Sequence, residues 1–327
     1  MLVTQLTLRD AVREGLKEAL EADDRVFIMG EDVGTFQGPY AVTKGLLDAY
    51  GPDRIKDTPI SEAVLIGSGV GAAIAGLRPI VEIMTINFML LGIDQVVNHA
   101  AKLRYMSGGQ ISVPLVIRTV TGGGAQLGAT HSQSFEGWFA SVPGLKVVVP
   151  SNPYDALGLL RTAIADPDPV IFAEHALLYR VKGDVPEERY DIPFGEAAVK
   201  REGADVTLVA YSRMVHTALE AADLLAAKGV QAEVIDLRTL RPLDTQTILE
   251  SVRKTNRAVV IEEMWRTGGF AGELVSIIQE QAFDDLDGPV GRVAGEDVPA
   301  PYTRYLEAAS LPTAQGVLEE IEKLFGI

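Results

Sequence analysis

The chain has 327 residues, enough for two domains that each bury a core, and 47% hydrophobic with 23% charged residues is globular rather than disordered composition. Lysine and arginine number 29 against 45 aspartate and glutamate, and the resulting charge of -16 repels phosphate backbones and anionic lipid, so neither nucleic acid nor a membrane is expected as a partner. The absence of cysteine excludes disulfides, thiolate zinc sites, iron–sulfur clusters and cysteine nucleophiles.

The first ten residues carry no basic patch ahead of an apolar run, and the longest uncharged small and apolar stretch, 63–77, spans only 15 residues. A soluble, cytoplasmic chain without signal peptide or membrane span is expected. Thr7 and Asp10 form a capping-box pattern that opens a helix to about Glu21, and an apolar strand follows at 26–30. Further strands are predicted at 79–85, 113–120, 145–150 and 169–173, with helical stretches beginning at Ser61, Asn87, Ser132 and Tyr154. The strands read as apolar on both faces, as buried parallel strands do. Residues 179–193 break this rhythm with Lys182, Gly183, Pro186, Glu187, Glu188 and Pro193, a polar stretch with extended bias where a linker is expected. Beyond it come a strand at 206–211, a helix stopped by Gly229, a strand at 232–237, a helix from Asp244, a strand at 258–261 and a helix from Gly269. The alternation predicts the α/β class: two domains, 1–185 and 186–327, with parallel sheets flanked by helices. From Asp191 onward 23 acidic residues face 13 basic ones, so the second domain carries ten of the sixteen negative charges.

Several residues could carry chemistry. Gly67, Gly69 and Ala72 match a dinucleotide fingerprint, but that fingerprint needs a strand just before it, and 57–62 reads as a turn and helix start. Small residues at Gly67, Gly71 and Ala75 instead suit the close approach of another helix, as at a subunit contact. Gly122, Gly123 and Gly124 follow a predicted strand, where open α/β sheets keep their ligands; they read as a flexible rim or as a plain turn, and lack a P-loop ending. Of the four histidines, His99, His131, His175 and His216, no pair has helical metal-site spacing. His131 follows the glycine loop, a placement suited to a proton donor and equally open to a structural histidine. Glu62 stands at the start of an uncharged helix, where desolvation would help a carboxyl keep a proton and donate it to a basic nitrogen; the alternative is an ordinary helix-start glutamate.

Taken together, Thr58-Pro59-Ile60-Ser61-Glu62, Thr85-Ile86-Asn87-Phe88, Ile93-Asp94-Gln95-Val96-Val97-Asn98, Met106-Ser107-Gly108-Gly109 and His131-Ser132-Gln133 resemble the beta subunits of thiamine-diphosphate-dependent decarboxylase components of 2-oxoacid dehydrogenase complexes, most similarly the pyruvate dehydrogenase type. The resemblance runs from Gly30-Glu31-Asp32-Val33 through Val234-Ile235-Asp236-Leu237-Arg238 and Thr267-Gly268-Gly269 to the end. It implies a transketolase-like architecture, with a pyrimidine-binding domain followed by a transketolase C-terminal domain. In that family the cofactor lies between two subunits, and an alpha subunit holds magnesium diphosphate through a Gly-Asp-Gly…Asn motif that this chain lacks. The implied chain is inactive alone and works in an alpha-two beta-two heterotetramer.

By the same resemblance, Glu62 hydrogen-bonds the pyrimidine nitrogen and promotes the imino tautomer that removes the thiazolium proton. Phe88 packs on the pyrimidine face, Glu31 lies near the cofactor pocket, and His131 assists acyl transfer to the lipoyl group. One departure is Thr130, where relatives more often carry Gln or Glu. Potassium would be held through carbonyls at Leu115, Ala163, Ile164, Asp166 and Asp168. The acidic second domain would dock the basic subunit-binding domain of the dihydrolipoyl acyltransferase, whose lipoyl domain receives the acyl group. Met106-Ser107-Gly108-Gly109 leans away from the branched-chain type, while acetoin enzymes stay open. A scaffold that only bridges alpha subunits to the complex core is the reading of a different class.

Overall fold

The computed structural model describes residues 2–326, which fall into two compact units: 2–121 with 138–194, and 122–137 with 195–326. The first contains β1 (Val3–Thr7), α1 (Leu8–Ala22), β2 (Val26–Gly30), α2 (Leu46–Tyr50), β3 (Ile55–Asp57), α3 (Glu62–Ile74), β4 (Arg78–Ile83), α4 (Leu103–Met106) and β5 (Val116–Thr121). After 122–137 the chain re-enters it through the short helix α5 (Glu136–Ala140), then β6 (Lys146–Val148), α6 (Pro153–Ala165), β7 (Val170–His175) and β8 (Lys182–Pro186). Six parallel strands run in the order β6-β7-β5-β4-β2-β3. Every residue of β2, β5 and β7 is buried, which is why these strands read as continuous apolar runs. The expected capping box is present: Thr7 Oγ1 accepts the Asp10 N–H at 3.1 Å and donates to the Asp10 carboxylate at 2.6 Å. Helix α1 packs on α6, where Gly15 admits Leu160 so closely that an added Cβ would sit 3.0 Å from it.

Three sequence expectations are corrected here. The helix expected from Asn87 is a 3₁₀ turn (Phe88–Gly92), a π-helical turn (Gln95–Ala100) and then α4. The reason is steric: Gly92 lies against the first turn of α3, where a Cβ would meet Ile66 Cδ1 at 2.6 Å and the Glu62 carbonyl oxygen at 3.0 Å. The helix expected from Ser132 starts only at Glu136, because the preceding residues are drawn into the glycine loop, with Gly122 N–H donating to the Gln133 carbonyl at 3.3 Å. The polar stretch 179–193 is not a free linker, since β8 pairs antiparallel with β1. Residues 186–194 group with the first unit.

The second unit holds β9 (Ala198–Arg201), β10 (Val206–Ala210), α7 (Met214–Ala226), β11 (Ala232–Asp236), β12 (Thr239–Arg241), α8 (Thr245–Thr255), β13 (Ala258–Trp265), α9 (Ala271–Ala282), β14 (Gly291–Gly295), α10 (Arg304–Ala309) and α11 (Ala314–Phe325). Its sheet runs β14-β13-β10-β11-β9, parallel except for the antiparallel edge strand β9. Leu208 and Ala210 of β10 face a core built with α7 and α11, while Thr207 turns to the other face and bonds Ser251 and Thr255 of α8 at 2.7 Å. Helix α8 packs on α9. The connections leaving β10 and β13, adjacent strands, therefore run to opposite faces, and their carboxyl ends bound the crevice where such sheets bind ligands. Among the described residues no helix is long and apolar enough to cross a membrane.

Candidate functional site

The carboxyl ends of β2 and β3 and the amino end of α3 gather the acidic residues singled out in sequence. Gly30 ends β2 because nothing larger fits: a Cβ there would lie 2.7 Å from the Glu82 carbonyl. The next residue, Glu31, is buried at 6% exposure, and its Oε1 has no hydrogen-bond partner. Burial, then the like charges of Glu62 and Asp32, push the Glu31 carboxyl above the usual carboxylate range, while the Ser61 N–H bonded to it pulls the other way. Glu62, the first residue of α3, is likewise buried, at 5% exposure. Two buried carboxyls thus lie close enough for their charges to interact, and one of their oxygens lacks a donor.

The loop beyond Glu31 is held open by backbone contacts. Asp32 and Gln37 adopt positive φ, and the Asp57 carboxylate at the end of β3 accepts N–H groups from Gly34 at 2.6 Å and Thr35 at 2.9 Å. Burial would raise Asp57, but these two donors bring it below its ordinary value. Phe88 is half-buried in the turn that Gly92 seats against Glu62 and Ile66. The structure therefore brings Glu31, Glu62 and the turn bearing Phe88 together. Gly67 and Gly69 lie inside α3, so they form no phosphate loop. Gly71, Val64 and Ile74 leave an apolar helix face exposed.

Sequence reasoning passed over the ion network beneath this pocket. Arg118 on β5 is buried and bonds Glu174 of β7 twice, at 2.7 and 2.8 Å, and Glu82 of β4 at 2.6 Å. The Tyr179 hydroxyl donates to Glu174 at 2.8 Å. Burial raises Glu174, with Arg118 opposing the shift. The only sequence signal was a charge inside each of three apolar strand patterns, where an unpaired charge is not tolerated.

The five positions expected to hold potassium lie around α6, β7 and the chain entering β5. The Leu115 carbonyl accepts Val170 N–H at 2.9 Å and the Ile164 carbonyl accepts Arg78 Nη1 at 2.7 Å. Lys146 at 2.5 Å and Arg104 at 2.9 Å bond the side-chain carboxylates of Asp166 and Asp168, not their backbone carbonyls, so these two contacts do not compete with a carbonyl-held ion. A monovalent ion at these positions would have to share the Leu115 and Ile164 carbonyls with those donors, and no chemical step is assigned to it.

His131 belongs to the second unit and is exposed, in a turn closed by its own N–H to the Gly128 carbonyl at 3.2 Å. Thr130 Oγ1 lies 2.8 Å from His131 Nδ1, within hydrogen-bond distance of the ring. Sequence reasoning also missed two carboxylates that bind the glycine loop, Glu263 and Glu307.

The transketolase pyrimidine-binding domain family matches residues 4–182 and the transketolase C-terminal domain family matches 195–317. Pyruvate dehydrogenase E1 component subunit beta-1, mitochondrial, of Arabidopsis thaliana is 51% identical over 318 residues, 96% of this chain and 88% of the relative. The pyruvate dehydrogenase E1 component subunit beta of Rickettsia felis is 49% identical over 98% of both chains. Among solved structures, a split-gene transketolase, an inactive beta4 tetramer, shares the fold with a TM-score of 0.81 over 98% of both chains at 23% identity.

Proposed function

We infer the function of this chain from its membership: it belongs to the transketolase-like family of pyruvate dehydrogenase E1 component beta subunits. It is the beta subunit of a decarboxylase that, with an alpha subunit, decarboxylates pyruvate and passes the acetyl group to the lipoyl group of a dihydrolipoyl acyltransferase. Bound thiamine diphosphate supplies the electron sink for that decarboxylation. The observation that carries the assignment is the buried Glu31–Glu62 pocket with its orphaned Glu31 Oε1, which fits the N–H donors of an aminopyrimidine.

In this reading Glu62 presents a proton to the basic ring nitrogen, and the unpartnered Glu31 Oε1 accepts from the exocyclic amino group. Phe88 covers the ring face, and the apolar surroundings keep water from the carboxyls. His131, oriented through Nδ1 by Thr130, meets the incoming lipoyl group on the exposed side of its loop. Magnesium and the diphosphate belong to the alpha subunit, potassium to the carbonyls near Ile164, and the acidic second domain to the basic subunit-binding domain, whose encounter complementary charge would speed. The apolar α3 face around Gly71 suits a subunit contact, and the location is cytoplasmic.

The test is turnover by this chain co-purified with its alpha subunit, at saturating thiamine diphosphate and magnesium, on pyruvate, 3-methyl-2-oxobutanoate and acetoin. Pyruvate preference is expected. Preference for either alternative would keep the fold and the pocket and overturn the substrate.

A further inference from the structure

Residues 122–137 belong to the same compact unit as β10 and β13, and their glycine loop is tied to carboxylates of that unit through backbone amides. Glu263 of β13 accepts the Gly123 N–H through Oε1 at 2.6 Å. Glu307 of α10 accepts the Gly124 N–H at 2.9 Å and the Gln126 N–H at 3.0 and 3.1 Å. Glu307 is 3% exposed, so its carboxylate is held in the interior by these loop amides. Such charge-assisted bonds are stronger than neutral ones. The turn that follows is clamped as well: a Cβ at Gly128 would overlap the Tyr302 ring at 2.3 Å, and the Phe135 ring meets Trp265 edge-on with centroids 5.8 Å apart. Between those two clamps lies His131, exposed and otherwise on a loop with no helix or strand of its own.

We propose that Glu307, aided by Glu263, is a positioning residue for the lipoyl half-reaction: its carboxylate fixes the backbone of the 122–130 loop and so sets where His131 meets the acyl acceptor. The proposal rests on the role given to His131 above. It predicts a division of labour, because the pyrimidine pocket of Glu31 and Glu62 shares no residue with this loop. Loss of the anchor should therefore weigh on acyl transfer to lipoyl more than on decarboxylation read with an artificial electron acceptor.

The experiment uses the chain assembled with its alpha subunit and an isolated lipoyl domain. In Glu307→Ala, amide hydrogen exchange across 122–131 should rise about tenfold or more, and lipoyl acetylation should fall about tenfold, with a smaller loss in the artificial-acceptor assay. Glu307→Gln, which keeps one acceptor oxygen, should restore part of both. In a His131→Ala background, Glu307→Ala should cost little more, since two residues acting through one geometry are not additive. Unchanged exchange in Glu307→Ala would overturn the anchoring. Raised exchange with fully additive losses, or equal losses in both assays, would overturn the positioning role. Wild-type acetylation by His131→Ala alone would instead remove the role of His131, and the exchange data would still report on the anchor.

Discussion

Gly92 is the point at which one methyl group tests the geometry of the proposed pyrimidine pocket. A Cβ at this position would stand 2.6 Å from Ile66 Cδ1, 3.0 Å from the Glu62 carbonyl oxygen and 3.2 Å from the Glu62 carbonyl carbon. Ile66 is fully buried and cannot swing into solvent, and the other two atoms are backbone at the first turn of α3. Gly92→Ala must therefore push the Phe88–Gly92 turn away from Glu62 by a few tenths of an ångström, and overpacking of this kind costs about 1–3 kcal/mol. If that cost is met by the arrangement that receives the cofactor, thiamine diphosphate binding by the assembled enzyme should weaken about 5- to 150-fold. Calorimetric titration of the cofactor into parent and variant chains, each assembled with the alpha subunit, measures it directly. Unchanged affinity in a properly assembled variant would refute the claim that the turn and the start of α3 form one pocket.

Two further outcomes follow from buried charge. Arg118→Met leaves Glu82 and Glu174 buried without their cation and should destabilise the protein by about 3–5 kcal/mol near neutral pH. The two carboxyls can then be accommodated only protonated, so the loss in melting temperature should shrink at acid pH, and a pH-independent loss would contradict the network. Glu262, raised by burial from 4.5 to about 6, binds its proton more tightly folded than unfolded, so its favourable contribution is present in acid and is lost as pH rises through that window. Relative to Glu262→Gln, the parent should lose about 2 kcal/mol between pH 4 and pH 7, and a constant difference across that range would refute the shift.

Much of the fold could be read because its parallel strands are buried on both faces: β2, β5 and β7 appear as unbroken apolar runs bounded by turn residues. The strands that escaped notice are those without that signal. In β1 the burial runs from exposed to half-buried, and its partner β8 carries Lys182, Gly183 and Pro186, so pairing alone defines both. The break in the helix after Asn87 was illegible because its cause, the contact of Gly92 with α3, joins residues about thirty apart in sequence. At the site, Glu62 and Phe88 were found through motif resemblance and Glu62 also through its uncharged helix. Glu263 and Glu307 were not, since neither lies in a pattern; they act through backbone amides, which leave no side-chain signature. Arg118 announced itself only as a charge where an apolar residue was expected.

The central claim is that this chain takes part in the chemistry through the Glu31–Glu62 pocket. The most direct measurement is pyruvate turnover by Glu62→Gln assembled with the alpha subunit, with assembly checked on the same sample by sedimentation. The account predicts intact assembly with turnover reduced about 100-fold or more, the scale of a lost proton-transfer group. Normal turnover from an intact assembly would contradict it and leave the chain as a scaffold for its partners.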